Sequence, residues 1–229
     1  VENIKNNDKF FVEIGCGNGL ENNSTNLVLN DWSGIVLDIE NNIKQYRKLL
    51  KIINPNKKIT TISSYLNLSN VNKVIDIIKK NKITFFSLDI DSFDFYILNE
   101  IFKYNIFPII ISLGYNAFLG HDPITVKYFP NFNRKIFDKN KGLYFGASLN
   151  AWKTLLKKYN YDFIGVDKNG VNCFFVLSNN LKFDVKSINA LQFEYTKFFV
   201  NKYKVSGEIL QKELLEQFHN EFININTLI

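Results

Sequence analysis

Residues 10–29 read FFVEIGCGNGLENNSTNLVL. An apolar run is followed by three glycines in five positions, Gly15, Gly17 and Gly19, and then by a polar stretch that leads into a second apolar run. This is the pattern of a buried strand, a tight turn and a short helix, with Asn23 or Ser24 placed to cap the helix. Glycine admits positive φ and lets a ligand approach bare backbone. The helix N-terminus beyond the turn favours a negative group. Two known glycine loops do not fit. A phosphate loop ends in Gly-Lys-Ser/Thr, which is absent. The dinucleotide fingerprint needs a glycine at the sixth position, where Leu20 stands. What remains is G-x-G-x-G behind Val12-Glu13, against the plain alternative of a tight strand–helix turn.

Outward from this stretch the chain keeps alternating. SGIVLDI, KKITTIS, ITFFSLDID and FPIIISLGYN read as further strands. Between them lie helical patterns: NNIKQYRKLLKII, stopped by Asn54-Pro55; SNVNKVIDIIKKN, with Ser69 as its cap; and FDFYILNEIFKYN. Near-continuous apolar strands alternating with helices predict a parallel sheet covered on both faces. Residues 114–145 lack a period and read as a long functional loop. GASLNAWKTLLKKYN returns as a helix. YDFIGVD and GVNCFFVLS, separated by KNG, read as an antiparallel hairpin. Residues 1–180 therefore form the expected core domain. Residues 181–229 read as a helical C-terminal extension that could pack on the sheet, form a lid or make an oligomer contact.

The 229 residues suit one main domain, and 46% hydrophobic content with only four prolines is the composition of a folded protein. The net charge of +6 is spread along the chain without a dense basic arm, so it does not single out an anionic partner. Two cysteines, Cys16 and Cys173, are no disulfide framework, and neither has zinc-site spacing. With no visible leader or membrane span, the expected location is the cytoplasm.

Four groups of polar residues could carry chemistry. Asp38 ends the second strand, 19 positions beyond Gly19. A carboxylate there can accept both hydroxyls of a ribose. Glu13, inside the first strand, needs partners such as loop amides or a ligand's amino group. In SLDIDSFDF, Asp89 and Asp91 alternate with Ile90 and so share a face at the end of the fourth strand. They could hold an acceptor, act as a general base, or bind a divalent cation. Asp94 reads as a helix cap. After the fifth strand come Tyr115, Asn116 and His121, where an acceptor would sit, with His121 a plausible base. His219, in the C-terminal helix, reads as structural or exposed.

With these residues in hand, the chain resembles class I S-adenosylmethionine (SAM) methyltransferases. VEIGCGNG, WSGIVLDIE, SLDIDSFDFYIL, YFGASLNAW and GVNCFFV together are similar to a bacterial group near the FkbM branch, often linked to surface-polysaccharide or small-molecule tailoring. The resemblance spans residues 10–178. It implies a Rossmann-like, mostly parallel seven-stranded α/β sheet ending in an antiparallel hairpin, with SAM as cofactor. It places Gly15, Gly17 and Gly19 against the methionine part of SAM, Asp38 on the ribose, Ile39 on the adenine and Ser64 near the adenine edge. The expected reaction is O-methylation of a small-molecule or glycan acceptor, with Asp91, Asp89 and His121 as base candidates in that order. A metal variant would use Asp89, Asp91 and Asn116 to hold Mg²⁺. Relatives tend to carry Glu just before the Tyr-Asn pair, where this chain has Gly114. Two rival readings are a nucleic-acid methyltransferase, disfavoured because no Asn/Asp-Pro-Pro-aromatic motif follows the fourth strand, and a non-catalytic SAM-fold binding module. A homo-oligomer is compatible with either.

Overall fold

The computed structural model describes residues 4, 8–54, 58–130, 132–139, 141–178, 180–182 and 188–229. Five parallel strands come first: β1 (Phe10–Ile14), β2 (Ser33–Asp38), β3 (Ile59–Ser63), β4 (Phe85–Leu88) and β5 (Ile110–Gly114). The helices between them are α1 (Thr25–Leu29), α2 (Glu40–Ile53), α3 (Val71–Ile78) and α4 (Asp94–Lys103). A hairpin of β7 (Tyr161–Val166) and β8 (Asn172–Leu177) completes the sheet, with β8 antiparallel to β5. The order is β3-β2-β1-β4-β5-β8-β7: the alternation predicts the parallel strands, and the whole is the mostly parallel, Rossmann-like seven-stranded α/β sheet that the resemblance implies. The chain runs from β1 outward to β3, then returns to the other side of β1 at β4. That reversal opens a crevice at the carboxyl ends of β1 and β4.

Side-chain alternation along each strand feeds two cores. Val12, Ile14, Leu37, Phe86 and Leu88 pack on one face with Val74, Leu98, Phe102 and Trp152. Phe11, Val36 and Phe85 pack on the other with Val28, Ile43 and Tyr46. Cys16 and Cys173 are both buried and unpaired.

Local caps differ from expectation at two helices. Ser24 occupies the cap position of α1, but its hydroxyl donates to the Glu13 carboxylate instead of capping. The α3 cap is Asn70 rather than Ser69, because Ser69 is tied into a turn on Asn67. Pro55 lies outside the described residues, and α2 ends at Ile53 before it.

The long loop is not wholly irregular. It contains a 3-10 turn at Ala117–Leu119, a short strand β6 (Ile124–Val126) and one helical turn, α5 (Arg134–Phe137). A helix α6 (Leu149–Lys158) follows, capped by the Ser148 hydroxyl on the Ala151 amide. Beyond the hairpin come α7 (Lys197–Tyr203), α8 (Gly207–Gln217) and β9 (Phe222–Asn224), which pairs antiparallel with β6. Three-residue strands leave no period to read, so this pairing has no local signature. An aromatic core joins the loop to the C-terminal helices through Phe118, Phe132 and Tyr144 against Phe199, Leu210 and Phe218. No helix among the described residues is long and apolar enough to cross a membrane.

Candidate functional site

The crevice holds a cavity of about 540 Å³, lined by Gly15, Gly17, Asp38, Ile39 and Ser64 on one side and by Asp89, Asp91 and Arg134 on the other. That volume suits a small organic ligand or cofactor. The chain ends of β1, β2, β3 and β4 thus deliver to one space residues that lie up to 76 positions apart in sequence, from Gly15 to Asp91.

The glycine turn is built by close approach. Gly15 and Gly19 both have φ +88°. A side chain at Gly15 would overlap the Asp89 carbonyl, and one at Gly19 would come within 2.5 Å of Tyr46 Cε2. Gly19 therefore packs the turn onto α2 and does not line the cavity. Gly17 is different: nothing lies within 4 Å of where its Cβ would be, so bare backbone faces open space. The Gly17 amide donates to Asp38 Oδ2 at 2.7 Å, while Asp38 Oδ1 accepts from the Ile39 amide at 2.6 Å and the Asn42 side chain at 2.9 Å. Asp38 thus closes the turn and also presents its carboxylate to the cavity.

Glu13 lies beneath the turn. It accepts from the Asn23 amide at 2.8 Å and from the Ser24 hydroxyl, and burial pushes its pKa up to about 7. Its partners are loop groups, one of the two alternatives open from sequence. Asn23 continues the network, donating to Ser87 Oγ at 3.0 Å and Asn172 Oδ1 at 3.4 Å.

β4 ends at Leu88, and Asp91 adopts a left-handed conformation with φ +55°. Strand alternation is therefore not what brings Asp89 and Asp91 together; the turn does. Burial, with the negative charges of Asp91 and Asp94, raises the Asp89 pKa well above the usual carboxylate range, and Arg134 partly offsets this. Asp94 accepts from the Ile90 and Ser92 amides at 2.7 and 3.0 Å, so it caps this turn, and burial pushes its pKa up to about 6.

The remaining candidates lie elsewhere. Asn116 is fully buried; its amide donates to the Leu143 and Phe145 carbonyls at 2.7 and 2.9 Å, and its oxygen accepts from the Phe118 amide. It holds the long loop in shape, away from Asp89 and Asp91 in the cavity lining. Among the described residues no three His, Cys, Asp or Glu side chains form a metal-sized cluster. Tyr115 is buried and donates to the Glu194 carbonyl at 2.6 Å. His121 lies in a second groove, against α8, which His219 also lines.

Sequence reasoning passed over the cavity's outer wall. Tyr65 and Leu66 follow β3, and Phe132, Asn133 and Arg134 come from the long loop. The Tyr65 hydroxyl donates to the Phe132 carbonyl at 2.6 Å, and Arg134 pairs with Asp91 at 2.5 Å while its guanidinium covers the Phe145 ring. Arg134 is one of only two arginines in the chain, the one signal that could have drawn attention to it.

No family model matches the chain, and no curated protein matches it. Among solved structures it is similar to an O-methyltransferase from Bacillus cereus in complex with SAH, with a TM-score of 0.47, 14% identity and 74% of each chain covered. It is also similar to a riboflavin-analogue dimethyltransferase (RosA) from Streptomyces davawensis, with a TM-score of 0.44, 11% identity, 73% of this chain and 49% of that one covered. A mitomycin 7-O-methyltransferase gives 0.44, 13%, 74% and 49%. The chain thus spans about half the length of the latter two. Likeness at this level says nothing about an acceptor or about residue roles, which are read from this chain's own residues.

Proposed function

We propose that this chain is a SAM-dependent methyltransferase of the FkbM-like kind, acting on a hydroxyl of a small polar acceptor. A sugar or a sugar-linked substituent of a glycan is the favoured class. One observation carries the reading. At a single crevice, the glycine turn, a ribose-ready carboxylate and a carboxylate pair line the same cavity.

The residues present fit the cofactor. The open space at Gly17 is a cradle that a side chain would fill, and Asp38 lies 2.7 Å from the Gly17 amide at the cavity wall. Gly15 and Gly17 would hold the amino-acid part, Asp38 the ribose, and Ile39, Ser64 and Leu66 the adenine. When bound, SAM supplies a methyl group already activated by its sulfonium charge. This chain then has to place the acceptor oxygen and take its proton. Asp89 is the favoured base because it borders the cavity beside the glycine turn; burial holds its pKa above the usual carboxylate range, the direction expected of a group that takes up a proton. Asp91, first in order from sequence, is engaged by Arg134, which supports a positioning role for it.

The described lining carries four acidic residues, Glu21, Asp38, Asp89 and Asp91, and one basic residue, Arg134. This acidic balance suits a cationic cofactor and opposes a phosphodiester acceptor, which supports a small neutral acceptor over nucleic acid.

The test is isothermal titration of the wild type and Asp38→Ala with SAM and S-adenosylhomocysteine. Micromolar binding, weakened at least tenfold in the variant, is expected. No binding of either ligand to folded wild type overturns the reading.

A further inference from the structure

Gly114 ends β5 with an ordinary backbone conformation; it is not among the positive-φ glycines. Nothing in the backbone therefore requires glycine there. Space does. A Cβ at this position would lie 2.5 Å from Asp89 Oδ1, 2.6 Å from Asp89 Cγ and 3.1 Å from Asp89 Oδ2. Leu88 and Leu113 are register partners, so the next residues, Asp89 just past β4 and Gly114 at the end of β5, come side by side. The Asp89 amide extends the ladder by donating to the Ile14 carbonyl at 3.0 Å, which fixes its backbone.

Gly114 has little room to retreat. Its carbonyl accepts from the Trp152 indole at 3.0 Å, and Trp152 is fully buried. Across the sheet it pairs with Asn172. On the other side of Asp89, Gly15 leaves room for the Asp89 carbonyl, which any side chain at 15 would overlap. Asp89 is thus bracketed: Gly15 accommodates its main chain and Gly114 its carboxylate. The charged groups that face this carboxylate are Asp91 and Asp94 from the same turn and Arg134 from α5.

We propose that Gly114 is a positioning residue, whose missing side chain is the seat of the Asp89 carboxylate at the cavity wall. The proposal deepens the reading above, because it says how the carboxylate expected to take the acceptor's proton is aimed. With alanine at 114, the carboxylate must leave its seat for another rotamer, since the strand end behind it is pinned by Trp152.

The test is a double-mutant cycle on the full chain: Gly114→Ala, Asp89→Ala and both together, with urea unfolding as readout. Asp89→Ala removes the three atoms that the new methyl would approach most closely. Gly114→Ala is expected to lower the unfolding midpoint in the wild type and to have less than a third of that effect in the Asp89→Ala background. Failure of the single variant to fold, with the double variant folded, has the same meaning. Equal effects in the two backgrounds, or loss of folding in both, overturns the proposal. A second readout separates positioning from bulk stability. In protein labelled at aspartate Cγ with carbon-13, the resonance lost in Asp89→Asn should move in folded Gly114→Ala while that of Asp162 stays. An unmoved Asp89 resonance overturns the proposal. Absence of S-adenosylhomocysteine binding to the wild type would instead strike the methyltransferase reading and leave the cycle intact.

Discussion

Glu13→Gln should make the protein less sensitive to rising pH. The buried Glu13 carboxyl has its pKa raised from 4.5 to about 7, mainly by burial. Between those values the folded chain holds a proton that the unfolded chain has released. Folded protein therefore binds more protons, and stability falls as pH rises through this window. The full effect is about 2.5 units at roughly 1.4 kcal/mol each, or about 3 kcal/mol. The loss is complete above about pH 7 and absent below about pH 4.5. Glutamine keeps the geometry: its oxygen accepts from the Asn23 amide, its amide donates to the Ser24 oxygen, and the Ser24 hydroxyl turns to Tyr46 Oη, 3.3 Å away. Urea unfolding at pH 5, 6, 7 and 8 reads the effect. The stability of the variant relative to the wild type should grow by about 2.5 kcal/mol from pH 5 to pH 8, a midpoint shift of about 1 M. Parallel pH curves for the two proteins would refute the argument that burial outweighs the two hydrogen bonds.

Three further outcomes are expected. Gly19→Ala, with a strained φ of +88° and a methyl directed at the Tyr46 ring, should cost about 2–4 kcal/mol in thermal unfolding; a change under about 0.5 kcal/mol would show that the turn relaxes freely. Asn116→Ala removes three buried hydrogen bonds and should cost about 3 kcal/mol or more; full stability with lost cofactor binding would place Asn116 in the site after all. Arg134→Gln cuts the tie between the long loop and Asp91, and stopped-flow measurement should show S-adenosylhomocysteine leaving several-fold faster; an unchanged rate would mean that this wall does not retain the ligand.

The alternation of strands and helices was legible because it is local. Apolar runs such as Phe10–Ile14 bury on both faces, and helical spacing at Val71, Val74, Ile75 and Ile78 buries one side. The turn at Gly15–Gly19 and the carboxylate at Asp38 were legible for a related reason. Backbone sterics and the register of adjacent parallel strands put them within reach of each other whatever the rest of the chain does. The placing of Asp89 and Asp91 just past the end of β4 was legible too, although the turn and not the strand aims them.

Tertiary structure alone decided the outer wall and the fate of the loop residues. Arg134 reaches Asp91 from 43 residues away, and Asn116 turns inward to hold Leu143 and Phe145. His121 faces α8 because the loop is packed on the C-terminal helices by Phe118, Phe199 and Phe218 and tied by the β6–β9 ladder. A loop's path depends on which distant apolar groups it buries, and that sum of weak, non-directional contacts leaves no period in the sequence. Gly114 joins the two levels: the sequence shows a missing side chain, and only the packed strands show that the Asp89 carboxylate fills its place.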